Sequence, residues 1–181
     1  MVYLILANGF EEIEAVTVTD LLRRADIQIK TVSIMEDKLV YGAHGMGVEA
    51  DILFKEVDFG TCSMMVLPGG MPGTMNLDNY QPLKEELITL NNINKPIAAI
   101  CAAPMVLGHL GILKGRRATI YEGMEEELTG AECCRNNVVI DGNITTSKGP
   151  GTAMIFGLAL IKQIKGEQVA EKIRADLLYN N

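Results

Sequence analysis

The chain has 181 residues, 48% apolar and 22% charged, with 16 Lys and Arg against 23 Asp and Glu for a formal net charge of −7. This is the size and composition of one globular domain with a sizeable core, spanning 1–181, and it excludes disordered and fibrous classes. The negative balance gives no general pull toward nucleic acid or anionic lipid, so neither is expected as a partner.

Residues 2–7 (VYLILA) form a near-continuous apolar run. Such runs predict strands buried on both faces, as in a parallel sheet. Apolar positions within 12–25 recur at helical spacing after a turn at Gly9, and 27–34 (IQIKTVSI) reads as a second strand. Together they make a βαβ unit with a right-handed crossover. Residues 39–57 are broken by Gly42, Gly45 and Gly47, which predicts a small hairpin or irregular edge, followed by a short helix at 54–58. Residues 63–67 (SMMVL) and 97–100 (IAAI) are further buried strands. Between them, 79–92 reads as a helix with Pro82 in its first turn.

Residues 103–113 predict a helix opened by Pro104, 116–121 a strand, and 124–130 a brief acidic helix. Residues 138–146 (VVIDGNITT) read as a hairpin around Asp141-Gly142-Asn143. Helices at 152–164, after the GPG of 149–151, and at 167–178 complete the chain. The sum is an α/β three-layer sandwich with a mostly parallel sheet. Ligand sites in such folds lie at the carboxyl ends of the strands. Three segments reach that edge: Gly9 to Glu14, Gly69 to Gly73, and Cys101 to Pro104.

The opening MVYLILANGFEEIEA lacks a basic flank and runs straight into acidic residues, unlike a signal peptide. No run reaches the roughly 18 apolar residues of a membrane span. A cytoplasmic setting is expected. Cys62, Cys101, Cys133 and Cys134 show neither a disulfide framework nor metal-ligand spacing, so free thiols and no metal or other cofactor are expected.

Cys101 stands between the strand IAAI and a helix. A tight strand-to-helix turn exposes a side chain at the sheet edge, and a helix start offers unpaired N–H groups that favour a thiolate. The small Ala102 and Ala103 let the turn close, and the Ala102 N–H is placed to face an oxyanion. A buried structural cysteine fits the same position. Gly69-Gly70 supplies either bare backbone donors for an anion or a plain tight turn. No GxxxxGK[ST] or GxGxxG is present, so nucleotide binding is not expected. Glu11 and Glu12 read as charges at a helix start, whereas Glu14, between Ile13 and Ala15, is expected to point inward. A buried carboxyl and a thiolate share a proton more easily than both ionise: Glu14 neutral and donating, Cys101 anionic.

The segments Gly9-Phe10-Glu11-Glu12-Ile13-Glu14, Leu67-Pro68-Gly69-Gly70, Ala98 to Pro104 and Thr146 to Gly151 together resemble the ThiJ/PfpI superfamily. Within it they resemble the branch that includes the human parkinsonism-associated DJ protein and bacterial YajL-like proteins. The likeness runs the length of the chain. It implies a flavodoxin-like, class I glutamine amidotransferase-like sandwich and a homodimer. It makes Cys101 the nucleophile or oxidisable cysteine, Glu14 its protonated partner, and the Gly70 and Ala102 backbone N–H groups the oxyanion donors. It implies glutathione-independent glyoxalase or deglycase activity on methylglyoxal or its adducts on protein, with redox sensing or chaperone action as the other reading.

Two departures stand out. Ala102 follows the cysteine where some members have histidine, and Tyr121 occupies the strand position where others have one. A thiol protease ordinarily needs a histidine base, and none stands at a suitable position. His44 lies in the loop that carries a basic residue in relatives, where it either holds a small anion or is a plain surface histidine. Arg24 has the same two readings. His109, eight residues past Cys101 and so about 12 Å along a helix, reads as structural or surface. Most of the ten Met residues read as core, with Met71, Met75 and Met105 as candidates for a pocket mouth.

Overall fold

The computed structural model describes residues 1–179. In chain order the strands are β1 (Val2–Leu6), β2 (Ile29–Ser33), β3 (Leu39–Tyr41), β4 (Gly47–Glu49), β5 (Ile52–Leu53), β6 (Met64–Leu67), β7 (Ile97–Ile100), β8 (Arg117–Ala118), β9 (Glu132–Cys133), β10 (Val138–Asp141) and β11 (Ile144–Ser147). The helices are α1 (Glu12–Arg24), α2 (Gly73–Asn79), α3 (Gln81–Asn92), α4 (Pro104–His109), α5 (Ala153–Lys165) and α6 (Glu167–Asp176). Seven strands form one sheet in the order β10-β11-β7-β6-β1-β2-β5. All neighbours run parallel except the β10–β11 hairpin at one edge.

Alternate residues of β1 divide between the two faces, as the period of a strand requires. Val2, Leu4 and Leu6 pack with Val18, Leu21 and Leu22 of α1 and with Phe156 and Leu160 of α5. Tyr3 and Ile5 pack with Leu83, Leu87 and Leu90 of α3 and with Val106 and Leu107 of α4. Both faces are covered, so the strands read as unbroken apolar runs. The result is the three-layer sandwich expected. The Leu21 side chain lies so close to Gly157 that any Cβ there would collide with it, which brings α1 and α5 together.

The structure corrects several boundaries. The strand expected at 116–121 shrinks to β8, which leaves the main sheet and pairs with β9. Side chains of the neighbouring hairpin take its backbone donors instead: Arg117 N–H donates to Asp141 Oδ2 at 2.8 Å and Thr119 N–H to Thr146 Oγ1 at 2.9 Å. The helix at 103–113 ends at His109, and Gly111 turns the chain at φ +70°. The acidic helix at 124–130 is a single 3₁₀ turn, Glu125–Glu127, between Gly123 and Gly130 at φ +89° and +77°, a backbone that no helix continues through. The helix at 54–58 is likewise one 3₁₀ turn, Phe54–Glu56. Residues 79–92 begin their helix at Gln81, and the separate helix α2 before it had no counterpart in the sequence reading.

Candidate active site

Strands β6, β1 and β7 are adjacent, with β1 and β7 flanking β6. Their carboxyl ends therefore deliver three loops to one place. The Gly9–Glu11 and Gly69–Gly70 backbones touch: Glu11 N–H donates to Gly69 carbonyl at 2.9 Å, and Gly73 N–H to Gly9 carbonyl at 3.1 Å. Gly70 adopts φ +90°, and a Cβ there would run into the Gly9 and Phe10 backbone. Only glycine meets both demands.

Cys101 sits at φ +64°, in the left-handed region that a side-chain-bearing residue rarely enters. Two hydrogen bonds hold it there. Its N–H donates to Ser147 carbonyl at 2.9 Å, and its carbonyl accepts from Tyr121 N–H at 2.8 Å. The strained turn aims the thiol out of the sheet edge. It opens into a cavity of about 300 Å³ lined by Glu11, Gly70, Met71, Tyr121, Met124 and Pro150 together with Cys101 and Ala102. Gly149 lets the Tyr121 ring approach: a Cβ there would come 3.2 Å from the ring and 3.9 Å from Cys101 Sγ.

Glu14, in the first turn of α1, is completely buried. Its Oε2 accepts the Gly69 N–H at 2.7 Å. Its Oε1 is buried with no hydrogen-bond partner among the described residues. Burial pushes the Glu14 carboxyl up to about 7, despite the Gly69 N–H that favours its ionised form. Burial, and then the charge of Glu14, push the Cys101 thiol up to about 12, while the Gly70 and Ala102 N–H groups pull it down. Glu14 points inward, as its place between Ile13 and Ala15 suggests. Beside an ionised Glu14, burial and that charge favour the protonated thiol. The six-residue α4 is too short to offset burial by its dipole. In such a coupled pair a proton on Glu14 would leave the negative charge on sulfur, and a proton on sulfur would leave it on Glu14.

The structure brings together Cys101, Glu14, Gly70 and Ala102, the four residues singled out in the sequence. Other candidates lie apart. Arg24 pairs with Asp20 on the exposed side of α1 at 2.6 Å. His109 is held between Asp78 and Glu127 at 2.9 and 2.8 Å. Met105 is buried in the core, and Met75 is exposed outside the cavity lining. Met71 does line the cavity, as do Pro150, from the Thr146 to Gly151 segment, and Met124, which no local sequence signal marks. All four cysteines are free. The reading of no metal-ligand cluster is incomplete: folding brings Glu11, Glu12 and His44 ligand atoms within 4.8 Å of one another. No helix among the described residues is long and apolar enough to cross a membrane.

The model of the DJ-1/PfpI family matches residues 1–163. The chain belongs to the DJ-1/PfpI family. The likeness to DJ-1/PfpI structures is close: the oxidised Toxoplasma gondii DJ-1 superposes with a TM-score of 0.95 at 35% identity, over 99% of this chain and 98% of that one. The fold is therefore the flavodoxin-like sandwich of the DJ-1/PfpI proteins. Among curated relatives, DJ-1 homolog B of Arabidopsis thaliana is 35% identical over 96% of this chain. This chain spans only 40% of that protein's length. The deglycase PfpI of Pyrococcus furiosus is 32% identical over 88% of this chain and 96% of its own.

Proposed function

We propose that the chain is a cysteine-dependent, cofactor-free enzyme of the glyoxalase III or deglycase type, acting on methylglyoxal or its adducts on protein. One observation carries this reading: Cys101, with the buried Glu14 beside it, opens into a small cavity with backbone donors at the sulfur. The Pyrococcus relative named a deglycase supports it.

The Cys101 thiolate adds to the aldehyde carbon, forming a C–S bond and an oxyanion that takes a proton. The Gly70 and Ala102 N–H groups steady that oxyanion. Glu14 carries a proton from the former aldehyde carbon to its neighbour through an enediol, so one carbon is oxidised as the other is reduced. Water then cleaves the thioester, releasing lactate and the thiol. No external oxidant or reductant enters. In the deglycase variant the starting carbon is held on a protein side chain as a hemithioacetal or aminocarbinol; the Cys101 C–S bond forms as the bond to that side chain breaks, the protein thiol or amine leaves with a proton, and the same steps follow.

A redox reading rests on the same pair: two equivalents of peroxide, each reduced to water, would oxidise the thiolate to a sulfinate that occupies its place and accepts from Glu14 and the two amides. The oxidised state of the Toxoplasma relative favours keeping it as second. A cytoplasmic, homodimeric protein is part of the proposal. Ile13 and Val16 on α1 lie exposed, as do Tyr41 and Met46 on the β3–β4 turn region, an apolar face suited to a second copy.

Purified protein, assayed for methylglyoxal loss and lactate gain in buffer free of glutathione and amines, tests the enzyme reading. Turnover abolished by Cys101→Ser and strongly reduced by Glu14→Gln is the expected result. No turnover from folded protein overturns it for this substrate and leaves the redox reading standing.

A further inference from the structure

Outside the main sheet, β8 and β9 pair in parallel and bring the two adjacent cysteines of the chain to one cavity. Cys133 ends β9, and Cys134 follows with its N–H donating to Ala118 carbonyl at 2.7 Å. Both thiols are free, Cys133 exposed and Cys134 half-buried. They line a cavity of about 460 Å³ that shares no lining residue with the Cys101 cavity. Nothing in the Cys101 chemistry uses it.

Thr119 lines this cavity, is only 1% exposed, and has an Oγ1 with no hydrogen-bond partner among the described residues. A buried hydroxyl left so is costly, and a polar ligand in the cavity would relieve it. The charges of the lining come in two opposed pairs, Arg135 and Lys148 against Glu122 and Glu125. The two sulfurs differ. The Arg117 guanidinium reaches Cys134, a contact that holds it above its ordinary value. Partial burial, and then the charge of Glu125, push the Cys133 thiol up. A cation beside a sulfur supports its attack as a thiolate, which singles out Cys134 as the nucleophile of the two.

We propose that this cavity binds a small disulfide bearing both carboxylates and ammonium groups, of the glutathione disulfide type, and that Cys134 takes one half of it as a mixed disulfide. Arg135 and Lys148 meet the carboxylates, and Glu122 and Glu125 meet the ammonium. The Cys134 thiolate attacks one sulfur of the bound disulfide. A new S–S bond forms to Cys134 as the ligand's own S–S bond breaks, and the departing half leaves as a thiolate that takes up the proton Cys134 gave. Cys134 is oxidised and the departing half is reduced, so the disulfide is itself the oxidant.

The full reduced chain is treated with glutathione disulfide and followed by intact mass and peptide mapping. One glutathionyl group on Cys134 is expected, at a rate that saturates as the disulfide concentration is raised. Cys101→Ser and Cys133→Ser are expected to react like the unaltered chain, and Cys134→Ser to take up no group at this cavity. Arg135→Ala combined with Lys148→Ala is expected to slow the reaction about tenfold, with folding checked by circular dichroism. The same pair of substitutions should leave the rate with uncharged bis(hydroxyethyl) disulfide unaltered. Absence of an adduct on Cys134 overturns the proposal, as does its loss in Cys133→Ser or Cys101→Ser. A rate that never saturates, or a double substitution that slows both disulfides alike or neither, overturns it too, because the thiol would then be merely exposed and the cavity no binding site.

Discussion

Gly69 and Cys101 touch so closely that a methyl group on Gly69 would come within 2.5 Å of Cys101 Cβ, and it would lie 3.0 Å from Glu14 Oε2. The bare glycine backbone is thus what allows the Glu14 carboxyl and the Cys101 side chain to close on the same point. Gly69→Ala must push the cysteine, the carboxylate or both aside. Displacements near 1 Å at reacting groups cost about a hundredfold in rate. Turnover in that variant is expected to fall by about this factor, with the N–H of residue 69 still present as a donor. Near-normal turnover would show that the contact is not needed.

The shared proton has a titration signature. With Glu14 raised to about 7 and the thiol to about 12, the pair sheds its first proton near neutrality and its second only in strong base. Iodoacetamide alkylation of Cys101 is expected to rise as pH passes through about 7 and then level off. In Glu14→Gln the adjoining charge is gone, so the step near neutrality disappears and a single step remains below the wild-type upper value. A wild-type profile without the neutral step would deny Glu14 its role.

His109 binds two carboxylates from two other elements. The hydrogen bond to Asp78, then that to Glu127, hold the imidazole above its ordinary value. A group raised on folding contributes its full stability below the unfolded value near 6.5 and loses it as pH rises through the folded value. His109→Ala should therefore lower Tm most at pH values below 6.5, with the gap to wild type narrowing as pH rises through the raised value. A gap of constant size across that range would mean that packing, and not charge, is the contribution.

The apolar residues of α1 and the neighbouring hairpin bear on assembly. Ile13 is 56% exposed and Met46 61%. If a second copy covers this face, Ile13→Glu introduces a charge into the contact and yields monomer in sedimentation at micromolar protein. A chain that is monomeric before substitution removes the homodimer from the proposal.

Much of this arrangement was legible in the residues themselves. Strands β1, β6 and β7 are apolar runs because both faces are covered, and that pattern needs no knowledge of neighbours. Cys101, Glu14 and Gly69-Gly70 were legible for a related reason, since each stands where such a strand ends or the following helix begins. Residues whose role depends on distant partners were not. His44 meets Glu12 only because the loop after β3 folds back over Phe10. Asp78 and Glu127 reach His109 from α2 and from the turn at Glu125–Glu127. The strand at 116–121 failed because Asp141 and Thr146 compete for its backbone, which no local propensity records. At Cys101 the helix start favours a thiolate, while burial, which only the folded chain reveals, pushes the thiol the other way.

The left-handed backbone at Cys101 has an evolutionary corollary. At φ +64° every residue with a Cβ is disfavoured by roughly 1–2 kcal/mol, whereas glycine is at ease. Selection for stability alone would drift this position toward glycine or asparagine. A lineage that keeps cysteine there keeps it against the preference of its own backbone, so survival of the thiol across descendants is itself a record of selection for chemistry.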